Sequence, residues 1–547
     1  MVSKRNPPMR MNHISAHSSK TSMNDRATWQ SGKFARLVLP MVLTWAIAAT
    51  VCSLVAPPMP VQAAPPDPRF GAVEAYNDSP AAVEAGVAWD RLLFQWRDLQ
   101  PNGPHEWYDG DHAAIVAQAA VAGREVIGLL IRTPAWATDD IPDCGVPRGL
   151  YLPVDEPDNL WANYVRRVVG AYAGHVDRWI VWNEPDIAMG TYGVEWCGTI
   201  ENYYQLLKVA YLAAHQANPN VKIHLAALTF WHDRTYLRRF LDVATQDPGA
   251  AEHGYYFDVV SLHIYFQTES VPYIINETRA ALSAYGLQKP VWVNETNAAS
   301  NSDPPYWELP GANFQISLDE QAGFLLQSFA LALASGAERV AVYRWVDHAF
   351  TDGVEPKGLI RLDGSYRPAI EAYRLITTHY VGAITAREDR QASHTVVTLD
   401  RGNLVTRVMW ARTPTAAAVS VPALNTQARL IDQTGVEQTV EPVGGLYTFS
   451  LPGARCADSR GCIIGGTTYL LIEETGATPS PAESPTPPPA GEDDEALTPI
   501  AEFTPTLTTT LTISPVVATE TPLPTDTPEP TVTSTLTPTA TATPPPT

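Results

Sequence analysis

Eight short apolar runs, nearly every one followed by a stretch of helical character, govern what residues 68–378 can fold into. The runs lie at 70–75, 91–95, 125–131, 178–182, 222–228, 259–265, 291–294 and 339–345. They read as short buried strands. Between them, apolar residues recur at helical period over 159–173, 201–217, 270–285 and 320–334. Alternation of this count and length predicts an α/β fold of the closed (β/α)8 kind, a TIM barrel. An open, doubly wound sheet is the alternative, but no Gly-rich phosphate loop follows the first run.

Two of these strands end in a way that points to chemistry. The fourth runs into Trp182-Asn183-Glu184-Pro185-Asp186. Pro185 has no amide hydrogen and cannot extend a sheet ladder, so Glu184 falls where the strand leaves the sheet. In barrels of parallel strands that end of the sheet carries the reactive groups. The seventh run, Pro290-Val291-Trp292-Val293, leads into Asn294-Glu295-Thr296. Two strand-ending carboxylates meeting across one cleft are what hydrolysis of a glycosidic bond requires. One must give a proton to the leaving oxygen, and the other must stay ionised to attack or stabilise the sugar carbon.

Outside the barrel the pattern changes twice. From about 379 to 474 helical periodicity is lost. Runs at 395–400, 404–410, 417–421, 427–431, 446–451 and 468–472 predict a small all-β sandwich. That domain either binds carbohydrate or props the barrel. From 475 to 547 the chain is Thr, Pro, Ser and Ala with one acidic knot at Glu492-Asp493-Asp494-Glu495, a composition that predicts a disordered tail or stalk.

Residues 1–63 form a basic leader. The apolar stretch 37–56 follows Lys33 and Arg36, and small residues at Val61 and Ala63 fit cleavage after Ala63, as in a signal peptide. Translation from Met23 would give a leader of ordinary length. An uncleaved membrane anchor is the competing reading, because about twenty apolar residues can span a bilayer. Either way the barrel (64–378) is expected outside the cytoplasm, secreted or at the cell surface. A membrane is a partner only if the leader stays attached.

The formal net charge is −21, and the first 63 residues carry seven basic residues against one acidic one, so the remainder is more acidic still. Such a chain is a poor partner for nucleic acid or anionic lipid. Cys52 falls in the leader, which leaves Cys144, Cys197, Cys456 and Cys462. An even number in an exported chain suggests two disulfides. Cys144 follows the third strand and Cys197 the fourth, whose loops are neighbours on one barrel face. Cys456 and Cys462 would close a small loop in the sandwich. No His flanks these cysteines at a zinc spacing, and no metal or other cofactor is called for.

With these residues in view, 68–378 resembles the retaining (β/α)8 glycoside hydrolases of clan A, most closely families 39 and 5. Ala85-Gly86-Val87-Ala88-Trp89-Asp90-Arg91-Leu92 with Trp96 is similar to that clan's second strand, and Thr133-Pro134-Ala135-Trp136 to the end of its third. Trp182-Asn183-Glu184-Pro185 resembles the acid/base motif, His263-Ile264-Tyr265 the sixth-strand motif, and Trp345 the Trp that closes strand eight. The resemblance implies double displacement with Glu295 as nucleophile and Glu184 as acid/base, on a β-linked oligo- or polysaccharide. It implies that Arg91 and Tyr265 support Glu295, with His263 beside them, and that Asn183 holds a sugar hydroxyl. Trp136 and Trp345 are expected to be either sugar-stacking platforms or core. Asp139, Asp140, Asp186 and Asp347 are expected on the rim. Phe230-Trp231-His232 has no counterpart in the pattern. A non-catalytic carbohydrate-binding barrel, a surface-displayed scaffold and a transglycosylase are the rival readings. The sugar, endo or exo action and the oligomeric state stay open.

Overall fold

The structure is a computed structural model that describes residues 65–303, 314–350, 353–457 and 461–475. The expected leader, signal peptide and Thr/Pro-rich tail lie outside the described residues. Eight parallel strands close into a barrel: β1 (Phe70–Val73), β2 (Trp89–Gln95), β3 (Glu125–Ile131), β4 (Arg178–Asn183), β5 (Lys222–Leu228), β6 (Val259–Tyr265), β7 (Val291–Asn297) and β8 (Arg339–Val342). Closure is direct, with Phe70 opposite Val340 and Ala72 opposite Val342. After the strands come α1 (Ser79–Glu84), α2 (His112–Val121), α3 (Leu160–Ala171), α4 (Ile200–Ala217), α5 (Tyr236–Thr245), α6 (Ser270–Ala284), α7 (Leu318–Ala334) and α8 (Pro368–His379).

Local chemistry starts these helices where they start. Thr199 and Asn202 form a reciprocal cap at the head of α4, with bonds of 3.2 and 3.0 Å. Ser317 and Glu320 do the same for α7, and Asn159 accepts from the Ala162 amide at the head of α3. Each side chain satisfies amides that the first helical turn leaves unpaired.

Tryptophans fill the barrel wall, and glycines make room for them. A Cβ on Gly71 would lie 2.2 Å from the Trp89 ring, and one on Gly128 would lie 2.3 Å from the Trp179 ring. Trp89 and Trp292 pack with centroids 5.4 Å apart. At the strand N-termini, Arg178 and Arg339 both pair with Glu125 and both lie over the Trp292 ring. That end is plugged, so the open end is the one where Glu184 emerges.

A hairpin, β9 (His348–Phe350) with β10 (Gly353–Glu355), follows β8. The second domain is all antiparallel: β11 (Thr385–Arg390), β12 (His394–Asp400), β13 (Leu404–Ala411), β14 (Ala417–Pro422), β15 (Ala428–Asp432), β16 (Glu437–Val440), β17 (Leu446–Leu451) and β18 (Tyr469–Glu474). Six form one sheet in the order β11-β12-β13-β18-β15-β16, and β14 pairs with β17 in the other. Met409, Val419, Leu430, Tyr447 and Leu471 lie in the core between them. The domain is bound to the barrel through α7. Buried Gln327 donates to Gly466 O at 3.1 Å and Thr468 Oγ1 at 2.9 Å, and accepts from Thr268 Oγ1 and the Gly465 amide at 3.0 Å each. Each polar group of that amide is met, so the contact is oriented as well as tight.

In the second domain two strands lack a counterpart among the expected runs. β11 (Thr-Ala-Arg-Glu-Asp-Arg) and β16 (Glu-Gln-Thr-Val) lie at the two edges of the six-stranded sheet and are mostly exposed, so no apolar alternation marks them. The expected run 339–345 also stops early, because β8 ends at Val342.

Candidate active site

Glu184 follows the last residue of β4, with its amide bonded to Ala227 O at 3.1 Å. The backbone is left-handed at Trp182 (φ 73°) and at Glu184 (φ 44°). Side chains larger than Gly rarely adopt that geometry, and where they do the surrounding structure has to impose it. Pro185 then carries the chain off the sheet. Glu295 lies within β7, directly opposite His263 on β6. Arg91 comes from β2 and Tyr265 from the end of β6.

These side chains converge on a cavity of about 760 Å³ at the open end of the barrel, lined by Arg91, Asn183, Glu184, Tyr265 and Glu295 among others. Glu295 is 5% exposed. Arg91 forms an ion pair with its Oε1, and the Tyr265 hydroxyl donates to its Oε2. Burial alone would push the Glu295 carboxyl up. The charge of Arg91 and the Tyr265 hydrogen bond oppose it and hold the group below the usual glutamate value. Burial and the Glu295 charge push the Tyr265 phenol well up, so it stays a donor.

His263 bridges the two carboxylates. Its Nδ1 is 2.5 Å from Glu184 Oε1, and its Nε2 is 3.4 Å from Glu295 Oε1. One donor atom from each of Glu184, His263 and Glu295 falls within 4.8 Å of the others. The trio fits a metal ion poorly. His263 is spent between the two acids, and Arg91 already supplies the positive charge against Glu295.

The two tryptophans depart from the platform expectation. Trp345 is 0% exposed, with its Nε1 bonded to Asp78 O at 3.1 Å, and belongs to the core. Trp136 packs edge-on against Trp96 and donates to Gln100 O at 2.6 Å, away from the cavity lining. Aromatic surface in the cavity comes from Tyr76, Tyr265 and Tyr343. Asp139 and Asp140 are exposed as expected for rim residues. Asp186 and Asp347 are buried instead. Asp186 Oδ2 accepts from the Thr229 amide and hydroxyl and from the Phe230 amide, at 2.8–3.0 Å. Burial pushes its carboxyl up to about 6, with Glu184 adding to the rise against the Thr229 bonds. Asp347 is bound by Arg367 at 2.7 and 2.8 Å.

Several cavity residues went unmarked in the sequence. Tyr343 and Arg344 follow β8, and Glu355 and Lys357 sit on and after the hairpin. Lys357 pairs with Glu355 at 2.9 Å and lies over the Tyr265 and Tyr343 rings. Arg344 pairs with Glu74. Glu195, between β4 and α4, brings a further carboxylate to the cavity, held by Arg132 at 2.6 Å and by Asn183 Nδ2 at 2.8 Å. Its proximity to Cys197 was the available signal, since the disulfides are Cys144–Cys197 and Cys456–Cys462. The first of these ties the β3 loop to the β4 loop beside Glu195.

No protein-family model matches the sequence, and no curated protein does. Among solved structures, the chain is similar to a family 39 glycoside hydrolase from the gut symbiont Bacteroides cellulosilyticus, at 17% identity, over 75% of this chain and 81% of that one, with a TM-score of 0.55. It is also similar to a monomeric β-xylosidase from Caulobacter crescentus, at 15% identity, over 76% and 98% of the two chains, with a TM-score of 0.50. At these identities the likeness establishes a shared fold.

Proposed function

We propose that this chain is a retaining O-glycosyl hydrolase acting on a β-linked oligo- or polysaccharide, with Glu295 as nucleophile and Glu184 as acid/base. The observation that carries the reading is the approach of the two carboxylates, which bring donor atoms within 4.8 Å of each other and of the His263 ring between them. Retaining enzymes hold their carboxyl groups about 5–5.5 Å apart, whereas inverting enzymes leave about 6.5–9.5 Å for a water.

The contacts around His263 suit one acid and one carboxylate. A neutral imidazole accepts at one nitrogen and donates at the other. A protonated Glu184 donating to Nδ1 leaves Nε2–H on the side of ionised Glu295, so the ring favours one acid and one carboxylate. In the first step a Glu295 oxygen bonds to the anomeric carbon as the bond to the leaving oxygen breaks, and that oxygen takes the proton of Glu184. In the second, water gives its proton to Glu184, its oxygen bonds to the anomeric carbon, and the ester to Glu295 breaks. Arg91 and Tyr265 hold the nucleophile ionised and oriented between steps.

Two disulfides fit an oxidising compartment, which supports export. Among the described residues no helix is long and apolar enough to cross a membrane. The substrate is carbohydrate, and the sandwich, fixed through Gln327, serves as a prop. A panel of aryl β-glycosides and polysaccharides, offered to the whole chain and to Glu184→Ala and Glu295→Ala, tests this reading. Turnover that needs both residues is expected. Turnover unchanged in both variants overturns the assignment, and a folded parent that binds sugar without turnover favours a binding protein.

A further inference from the structure

Asp186 lies two residues past Glu184, and the double displacement gives it no step. It is 4% exposed. One of its oxygens, Oδ2, accepts from the Thr229 amide at 2.9 Å, the Thr229 hydroxyl at 2.8 Å and the Phe230 amide at 3.0 Å. Oδ1 meets no polar partner among the described residues. All three donors belong to the loop that follows β5. The same strand supplies Ala227 O, which accepts the Glu184 amide at 3.1 Å. Glu184 is therefore bracketed by β5, through its own amide on one side and through Asp186 on the other. Pro185 between them has its φ fixed by its ring, and the Ile187 amide closes the turn on Glu184 O at 3.2 Å.

That turn is held in an unfavourable shape. Glu184 has φ 44°, and Phe230, on the other side of the clamp, has φ 64°. A left-handed residue with a long side chain persists only where its surroundings impose the shape. Asp186 imposes it, because relaxing either residue would draw donors off Oδ2 and leave a buried carboxylate without partners. We infer that Asp186 is a positioning residue: by pinning the turn after β4 to the loop after β5, it keeps the Glu184 carboxyl aimed at the leaving oxygen. The inference rests on the glycosidase reading above. Asp186 acts here through the geometry of Glu184 alone, so its effect is confined to the steps in which Glu184 moves a proton.

The test compares kcat/KM of the whole chain on two glycosides of whichever sugar the parent turns over. One has an alkyl leaving group, which needs a proton, and the other has dinitrophenolate, which does not. Asp186→Ala is expected to lose about ten- to a hundredfold on the alkyl glycoside, the scale of a misplacement of about 1 Å, and to change little on the dinitrophenyl glycoside. Asp186→Asn can place its oxygen where Oδ2 lies and its nitrogen where Oδ1 lies, so it should recover most of the loss. In a Glu184→Ala background, Asp186→Ala should cost nothing further on the alkyl glycoside. Should the Ala variant fold poorly, Thr229→Val removes one of the three bonds and keeps the shape, and it should show the same leaving-group selectivity at smaller size. Equal losses on the two glycosides, or a loss that multiplies with that of Glu184→Ala, overturn the inference while leaving the glycosidase reading intact. A parent without turnover on any glycoside overturns both.

Discussion

Arg91→Met removes the guanidinium paired with Glu295 and leaves an uncharged side chain of similar length in a buried site. Breaking a buried ion pair by removing one member costs about 3–5 kcal/mol, because the other charge stays behind without compensation. At about 2.1 cal/mol/K of unfolding entropy per residue and roughly 400 structured residues, that is a fall in Tm of about 4–6 °C at neutral pH. The pH dependence separates this cause from loss of packing. In the parent, Glu295 sits below its ordinary value of 4.5, so it adds stability that is complete above that value and is lost as pH falls through the lower folded value. In the variant burial is no longer opposed by Arg91, the folded value rises, and the ionised form is penalised as pH increases. The Tm gap should be widest at neutral pH and narrow on acidification. The acidic limb of kcat/KM should move to higher pH, because fewer molecules carry an ionised nucleophile. Differential scanning calorimetry from pH 4 to 8 and a kcat/KM profile over the same range read both effects. A Tm gap that is constant with pH, together with an unmoved acidic limb, would refute the claim that Arg91 tunes Glu295.

Glu184→Ala should cost about 10²- to 10⁴-fold in kcat on alkyl or sugar leaving groups and far less on a dinitrophenyl glycoside, which leaves without a proton. Steady-state rates on the two leaving groups check this. Trp345→Ala should destabilise by about 3–5 kcal/mol, as for other buried aromatic truncations, while KM changes little below the lowered Tm, since the ring gives the cavity no face. Replacing Cys144 and Cys197 by Ser opens a loop of 53 residues. The chain-entropy account assigns that closure about 4 kcal/mol, and thermal unfolding with and without reductant measures it.

The barrel was legible because buried parallel strands are written as apolar runs whose ends are cut by Pro, Asn or Gly. Runs such as 125–131, 222–228 and 259–265 match β3, β5 and β6 residue for residue. Edge strands follow no such rule: β11 and β16 carry charged side chains toward water and pass for loops. Within the cavity, the residues that meet at Glu295 come from the strands themselves, where alternation dictates direction. Trp345 lies beyond the end of β8, where alternation no longer says which way a ring points, and there Tyr343 lines the cavity while Trp345 turns into the core. Asp186 and Asp347 looked like rim acids because loops are usually wet, yet their partners, Thr229 and Arg367, come from distant parts of the chain. Glu195 was hidden for a similar reason: what matters about it is a contact with Arg132, which is 63 residues away in sequence.

The stereochemistry of the first product tests the central claim most directly. Proton NMR of a β-glycoside during the first minutes of turnover, before mutarotation, should show the β-anomer, because an attack by Glu295 followed by an attack by water inverts the anomeric carbon twice. The α-anomer as first product would mean a single displacement by water, which a carboxylate pair this close does not accommodate, and would contradict the assignment of Glu295 as nucleophile.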